Sequence, residues 1–159
     1  MSRQVQAQPL TAEAFAPFGD VLTLPSTVGT RTYFDRSLAN LRPDAPASLS
    51  LILAAPTLGR PVPITQFERH RFSSQSFVPM AQALWLVVVA PHGADGGPDM
   101  DRLSAFLPAP DTGITLGADV WHAPLTVLDA PAPFVISMWR DWGPLDEEFA
   151  QIAPFTVVV

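Results

Sequence analysis

Apolar and polar positions alternate most plainly over Ile64 to Phe72, where a period of two predicts a strand. Gln66, Glu68, His70 and Phe72 then share one face, and Thr65, Phe67, Arg69 and Arg71 share the other. The polar pair Ser73-Ser74 turns the chain, so that Gln75 can return to the face of Glu68 and His70. Other stretches are apolar without alternation. Ser48 to Ala55 reads as a buried strand ending at Pro56, and the β-branched run Ala83 to Ala90 as a strand central in a sheet. Shorter strands are predicted at Val5 to Leu10, Val21 to Leu24, Leu103 to Leu107, Ile114 to Leu116, Trp121 to Leu128, Phe134 to Met138 and Phe155 to Val159. His92 to Pro98 and Pro108 to Gly113 have turn composition. Helical signals are brief. Thr11 caps a turn over Ala12 to Ala16 that Pro17 and Gly19 stop, and another turn of helix is expected around Asp146 to Phe149.

Closely spaced short strands, 18 prolines and almost no helical periodicity make the fold class all-β. A barrel-like jelly roll with one or two short helices suits the pattern better than an open sandwich, because two separated polar segments must converge inside it. With 159 residues and no internal repeat or linker, one domain over 1–159 is expected. Hydrophobic residues at 48% against 15% charged mark a globular chain. A net charge of −6 without any basic cluster excludes nucleic acid as a partner. No apolar run reaches the length of a membrane span or resembles a signal peptide, so cytoplasm is the expected compartment. The absence of cysteine removes disulfides and thiolate metal sites.

What remains for chemistry is Glu68, His70 and Gln75, joined by His122 on the segment DVWHAPL. Each histidine taken alone fits a satisfied structural residue; the pair, with Glu68 and Gln75 on the same face, points to a site. Two imidazoles and a carboxylate are a donor set for an open-sided divalent metal, which Gln75 would complete weakly. Without metal, the same histidines suit general acid–base catalysis, with Glu68 orienting His70. His92 lies in a Gly-rich loop and is expected to be solvated. Arg140, between Trp139 and Trp142, is a candidate clamp for an anion.

PLTAEAFAPFGDVL, FDRSLANL, FERHRFSSQSFVPM and DVWHAPLTVL together resemble the ureidoglycolate lyase family, in the family's order and over most of the chain. The resemblance implies a cupin-like jelly-roll β-barrel, commonly a homodimer, that splits the small molecule ureidoglycolate into glyoxylate and urea in allantoin and purine degradation. It carries over His70, Gln75 and His122 as site residues with Glu68 beside them; Ser74 and Trp121, with Arg140, are the candidates for binding substrate. No cofactor is required by it, and a divalent metal on Glu68, His70, Gln75 and His122 is the one cofactor considered. The chain departs from the family's pattern at Leu53, where an arginine is common, and at Leu116 and Gly117, where a tyrosine and then a basic residue or histidine are usual. Those changes remove polar groups suited to a substrate carboxylate and leave Arg140 as the replacement to test.

Overall fold

The computed structural model describes residues 3–159. In chain order the strands are β1 (Gln4–Gln6), β2 (Gln8–Pro9), β3 (Gly19–Leu22), β4 (Ala47–Ala54), β5 (Pro56–Thr57), β6 (Val62–Arg69) and β7 (Gln75–Pro79). They continue with β8 (Trp85–Ala90), β9 (Ser104–Leu107), β10 (Gly113–Leu116), β11 (Trp121–His122), β12 (Thr126–Leu128), β13 (Ala132–Trp139) and β14 (Glu148–Val158). One helical turn, α1 (Ala12–Phe15), follows β2, and a 3-10 turn over Met100–Arg102 precedes β9. Thr11 caps α1 as its sequence position predicts, its hydroxyl accepting from the Ala14 N–H. No helix among the described residues is long and apolar enough to cross a membrane.

Two sheets form the barrel-like jelly roll. The first has the order β1-β14-β6-β11-β8-β12-β5, with β9 also pairing β8 and β2 pairing β9. The second has the order β3-β10-β7-β13-β4. Strand β8 shows why an unbroken apolar run sits at the centre. Trp85, Val87 and Val89 pack into the core between the sheets, with Phe77, Ile114, Leu116 and Phe134. Leu86, Val88 and Ala90 pack into a second core on the outer side of the first sheet, with Phe67, Trp121, Phe155 and Val157.

Close backbone approach governs one edge of the second sheet. A β-carbon placed on Gly19 would lie 1.8 Å from the Thr115 carbonyl oxygen, so only glycine lets β3 pair with β10 there.

Several boundaries differ from expectation. The expected strand Val5 to Leu10 is divided at Ala7, where the chain leaves β14 for β9. Pro124 lies in the break that divides Trp121 to Leu128 into β11 and β12. No helix forms around Asp146 to Phe149. Asp146 lies in a bend, and Glu148 already pairs with Arg69 as β14 begins. The largest difference concerns Ser48 to Ala55. It forms a strand, but at the sheet's edge, and it is not buried: Leu49, Leu51 and Leu53 are 73%, 67% and 71% exposed. Their register partners on β13 include Val135 opposite Leu51, and Val135 in turn faces Val78 on β7, so this row of the outer face is apolar, whereas the next row runs from Leu49 to Ser137 and Ser76.

Candidate active site

In-register pairing explains how the polar residues meet. Phe149 of β14 stands opposite Glu68 of β6, Glu68 opposite His122 of β11, and His122 opposite Val89 of β8. These four form one row across the inner face of the first sheet, running from half-exposed Phe149 (52%) to fully buried Val89. The polar pair therefore sits one position in from the open end of the row. His70 follows β6 directly, and its ring centroid lies 5.6 Å from that of His122. Ligand atoms of Glu68, His70 and His122 all lie within 4.8 Å of one another, and all three residues are buried.

Each histidine is anchored through Nδ1. His70 Nδ1 lies 2.8 Å from the Asp146 carbonyl oxygen, and His122 Nδ1 lies 2.9 Å from that of Val120. A carbonyl can only accept, so both rings carry a proton at Nδ1 and turn Nε2 toward the shared space. His122 Nε2 is 3.2 Å from Glu68 Oε1, close enough for an ion pair but out of line for a full hydrogen bond. His70 Nε2 has no partner among the described residues. Buried polar atoms are nearly always paired, so these open nitrogens mark a place prepared for a ligand.

Charge follows from the same geometry. Burial pushes the Glu68 carboxyl up, but the His122 contact and the two imidazoles outweigh it, and its pKa lies below the ordinary value. Burial lowers the pKa of His70, and the neighbouring His122 lowers it further, so His70 is held neutral near pH 7.

Gln75 opens β7 in the opposite sheet, between Leu116 and Met138 in register. Among the described residues its Nε2 meets only the Met138 sulfur, at 3.9 Å, and its buried Oε1 has no partner. It shares its face of β7 with the core residue Phe77, across the barrel from the histidine row.

The structure does not bring the other candidates to this cluster. Trp121 turns to the outer core, where its Nε1 donates to the Gly96 carbonyl at 3.0 Å. Ser74 is tied to the main chain of Ala39, accepting from its N–H at 2.9 Å. Arg140 stacks over Trp142, 4.0 Å from the ring centroid, with its Nε 3.6 Å from Asp146 Oδ2. His92 is not simply solvated: its ring lies against the Gly96 and Asp119 carbonyls at 3.2 and 2.8 Å. Of the departures from the family's pattern, Leu116 faces the core beside Gln75, whereas Leu53 lies on the outer face and cannot line the cavity. Sequence reasoning missed Phe149 and Asp146. Phe149 carries no signal, since its stretch reads as a turn of helix. Asp146 could be noticed only as an acidic residue in a chain poor in charge.

Comparison with known proteins agrees with the motifs. Residues 2–155 match the ureidoglycolate lyase family. A ureidoglycolate lyase from Burkholderia cepacia is 39% identical over 140 residues, covering 83% of this chain and 77% of that one. One from Mesorhizobium japonicum is 37% identical over 141 residues, covering 84% of each. Among solved structures, a dTDP sugar isomerase from Desulfovibrio desulfuricans superposes with a TM-score of 0.48 at 14% identity, over 84% of this chain and 82% of that one.

Proposed function

Since the chain belongs to the ureidoglycolate lyase family, we propose that it cleaves ureidoglycolate to glyoxylate and urea at the Glu68, His70, Gln75 and His122 cluster. The observation that carries this site is the pair of buried Nε2 atoms left open by rings anchored through Nδ1.

The reaction needs two proton movements at neighbouring atoms. The hydroxyl on the carbinolamide carbon gives up its proton, and its oxygen becomes the aldehyde carbonyl of glyoxylate. The bond from that carbon to the ureido nitrogen breaks, its electron pair stays on nitrogen, and a proton there completes urea. No atom changes hands with solvent and no redox partner is required. His70, neutral and with its lone pair at Nε2, suits the base. His122, with the Glu68 carboxylate 3.2 Å away to balance a proton, suits the acid. Gln75 Oε1, unpartnered in the fold, suits an N–H of the ureido group.

The same residues fit a divalent metal. Glu68, His70 and His122 would hold it through one carboxylate and two open imidazole nitrogens, each ring braced behind by a carbonyl. When bound, such an ion supplies Lewis-acid polarisation of substrate oxygen. Purified protein is assayed for glyoxylate release with each enantiomer of ureidoglycolate, with and without added divalent metal. Turnover is the expected result; none under any of these conditions removes the reading.

We also propose that two copies associate through the outer face of the second sheet. Leu49, Leu51 and Leu53 expose an apolar row beside Val135 and Val78, the kind of surface that contact between copies covers. Light scattering at micromolar concentration should give the mass of a dimer, and Leu51→Arg should give that of a monomer. A wild-type monomer ends this proposal.

A further inference from the structure

His122 and His70 are anchored in different ways. The acceptor for His122 is two residues away on the same segment, whereas the acceptor for His70 is the Asp146 carbonyl, 76 residues along the chain. That carbonyl belongs to the irregular turn between β13 and β14. Nothing in the regular hydrogen bonding of either strand fixes where it points.

The Asp146 side chain does. It is almost wholly buried, with 4% of the residue exposed, and it gathers the turn around itself. One carboxylate oxygen accepts from Arg42 Nη2 and, at 3.2 Å, from the Asp141 N–H. The other accepts from the Trp142 N–H at 2.7 Å. Arg42 also reaches Asp141 Oδ2 at 3.1 Å and lies over the Phe72 ring, 5.4 Å from its centroid. Trp142 is held at φ 65, a left-handed conformation that costs a residue with a side chain of order 1 kcal/mol or more unless its surroundings enforce it. Two main-chain donors converging on one buried carboxylate enforce it here. Arg42 belongs to the segment that pairs with the turn after β6, since the Leu41 N–H donates to the Phe72 carbonyl at 2.8 Å. One ion pair thus joins the turn bearing the acceptor to the chain beside His70.

We propose that Asp146, clasped by Arg42, is a positioning residue for His70: its carboxylate fixes the 141–146 turn so that its own carbonyl holds the His70 proton at Nδ1 and leaves Nε2 open to substrate. The role of His70 in turnover rests on the function proposed above; the tautomer does not. The arrangement commits the ring's only proton to the side away from the cavity, which a base that must accept at Nε2 requires. Asp146 touches neither substrate nor the reacting atoms and acts through the turn.

The experiment uses full-length protein with nitrogen-15 histidine. Its three histidines keep the spectrum simple, and His70→Gln identifies the His70 signals. Wild type should show His70 protonated at Nδ1. Asp146→Asn keeps the shape but removes the anion for Arg42, and should shift His70 toward a mixture of both tautomers. It should also lower kcat about tenfold, with KM changed less than kcat. Arg42→Gln should reproduce both effects from the other side of the clasp, Arg42→Lys should restore most of each, and the double variant should be no worse than either single one. If Asp146→Asn fails to fold, the Arg42 pair carries the test. Folded variants with a wild-type His70 spectrum overturn the proposal. A shifted tautomer in a protein that never turns over ureidoglycolate upholds it and instead counts against the proposed reaction.

Discussion

Arg69 and His70 are neighbours in the chain, both largely buried, and they face opposite sides of the first sheet. On the outer side every donor of Arg69 is used. Its Nε and Nη2 reach the Glu148 carboxylate at 2.9–3.1 Å, its Nη1 lies 3.2 Å from Asp119 Oδ1, and its plane covers the Trp121 ring at 4.4 Å. On the inner side His70 and His122 each leave Nε2 open, and Gln75 leaves Oε1 open across the barrel. Two polar clusters, one built on an arginine and one on a pair of imidazoles, thus lie back to back across β6 and β11. The one whose arginine is engaged on every side is a fastening. The unsaturated one has the cost of burial without its return from pairing, which is the mark of a surface shaped for something else.

Substitutions on the two sides should separate accordingly. The largest effect is expected from His70→Asn, whose amide can still donate to the Asp146 carbonyl: it should lower turnover about 100- to 10,000-fold while stability changes by no more than about 1 kcal/mol. Turnover is followed by glyoxylate release and stability by urea unfolding. Arg69→Met should do the reverse, losing about 2–3 kcal/mol of stability as the Glu148 and Trp121 contacts go, with kcat of the folded fraction within a few-fold of wild type. A large loss of kcat in Arg69→Met without loss of stability would erase the distinction between the two sides.

Glu68→Gln comes next, with turnover down about tenfold as His122 loses its balancing charge. It also has a pH signature. The folded state lowers the Glu68 pKa, so ionised Glu68 contributes stability that is present above the unfolded value of about 4.3 and lost as pH falls through the lower folded value. Denaturation at pH 3–7 should show Glu68→Gln with a shallower acid decline than wild type; parallel curves would mean that the carboxylate is not stabilised by the imidazoles. The smallest effect belongs to His92→Gln, on the exposed rim of the outer cluster. It should cost at most about 1 kcal/mol and leave kcat unchanged.

The inner cluster was legible because β6 alternates where it borders the cavity, and because pairing brings His122 into register with Glu68. Only the second fact lies outside the sequence, and the family motifs pointed to it. Strand β4 was misread for a physical reason. Ser-Leu-Ile-Leu carries the same apolar signal whether its outer leucines meet a core or form the surface of a sheet edge. The acidic stretch Asp146 to Phe149 has helical propensity, but pairing of Glu148 and Phe149 with β6 overrides it. Asp146 was invisible as an organiser because its partners Arg42 and His70 lie 104 and 76 residues away.

Gly19 has a consequence in genetic terms. Every missense change of a glycine codon adds at least a β-carbon, and at this position that carbon would meet the Thr115 carbonyl at 1.8 Å. The chain cannot yield by rotating a side chain, because the clash is with main chain inside the β3–β10 pair. Alleles at this codon should therefore resemble deletions in a cell extract, detected as missing protein on an immunoblot rather than as a slow enzyme, although Gly19 lies far along the sequence from every residue assigned here to chemistry.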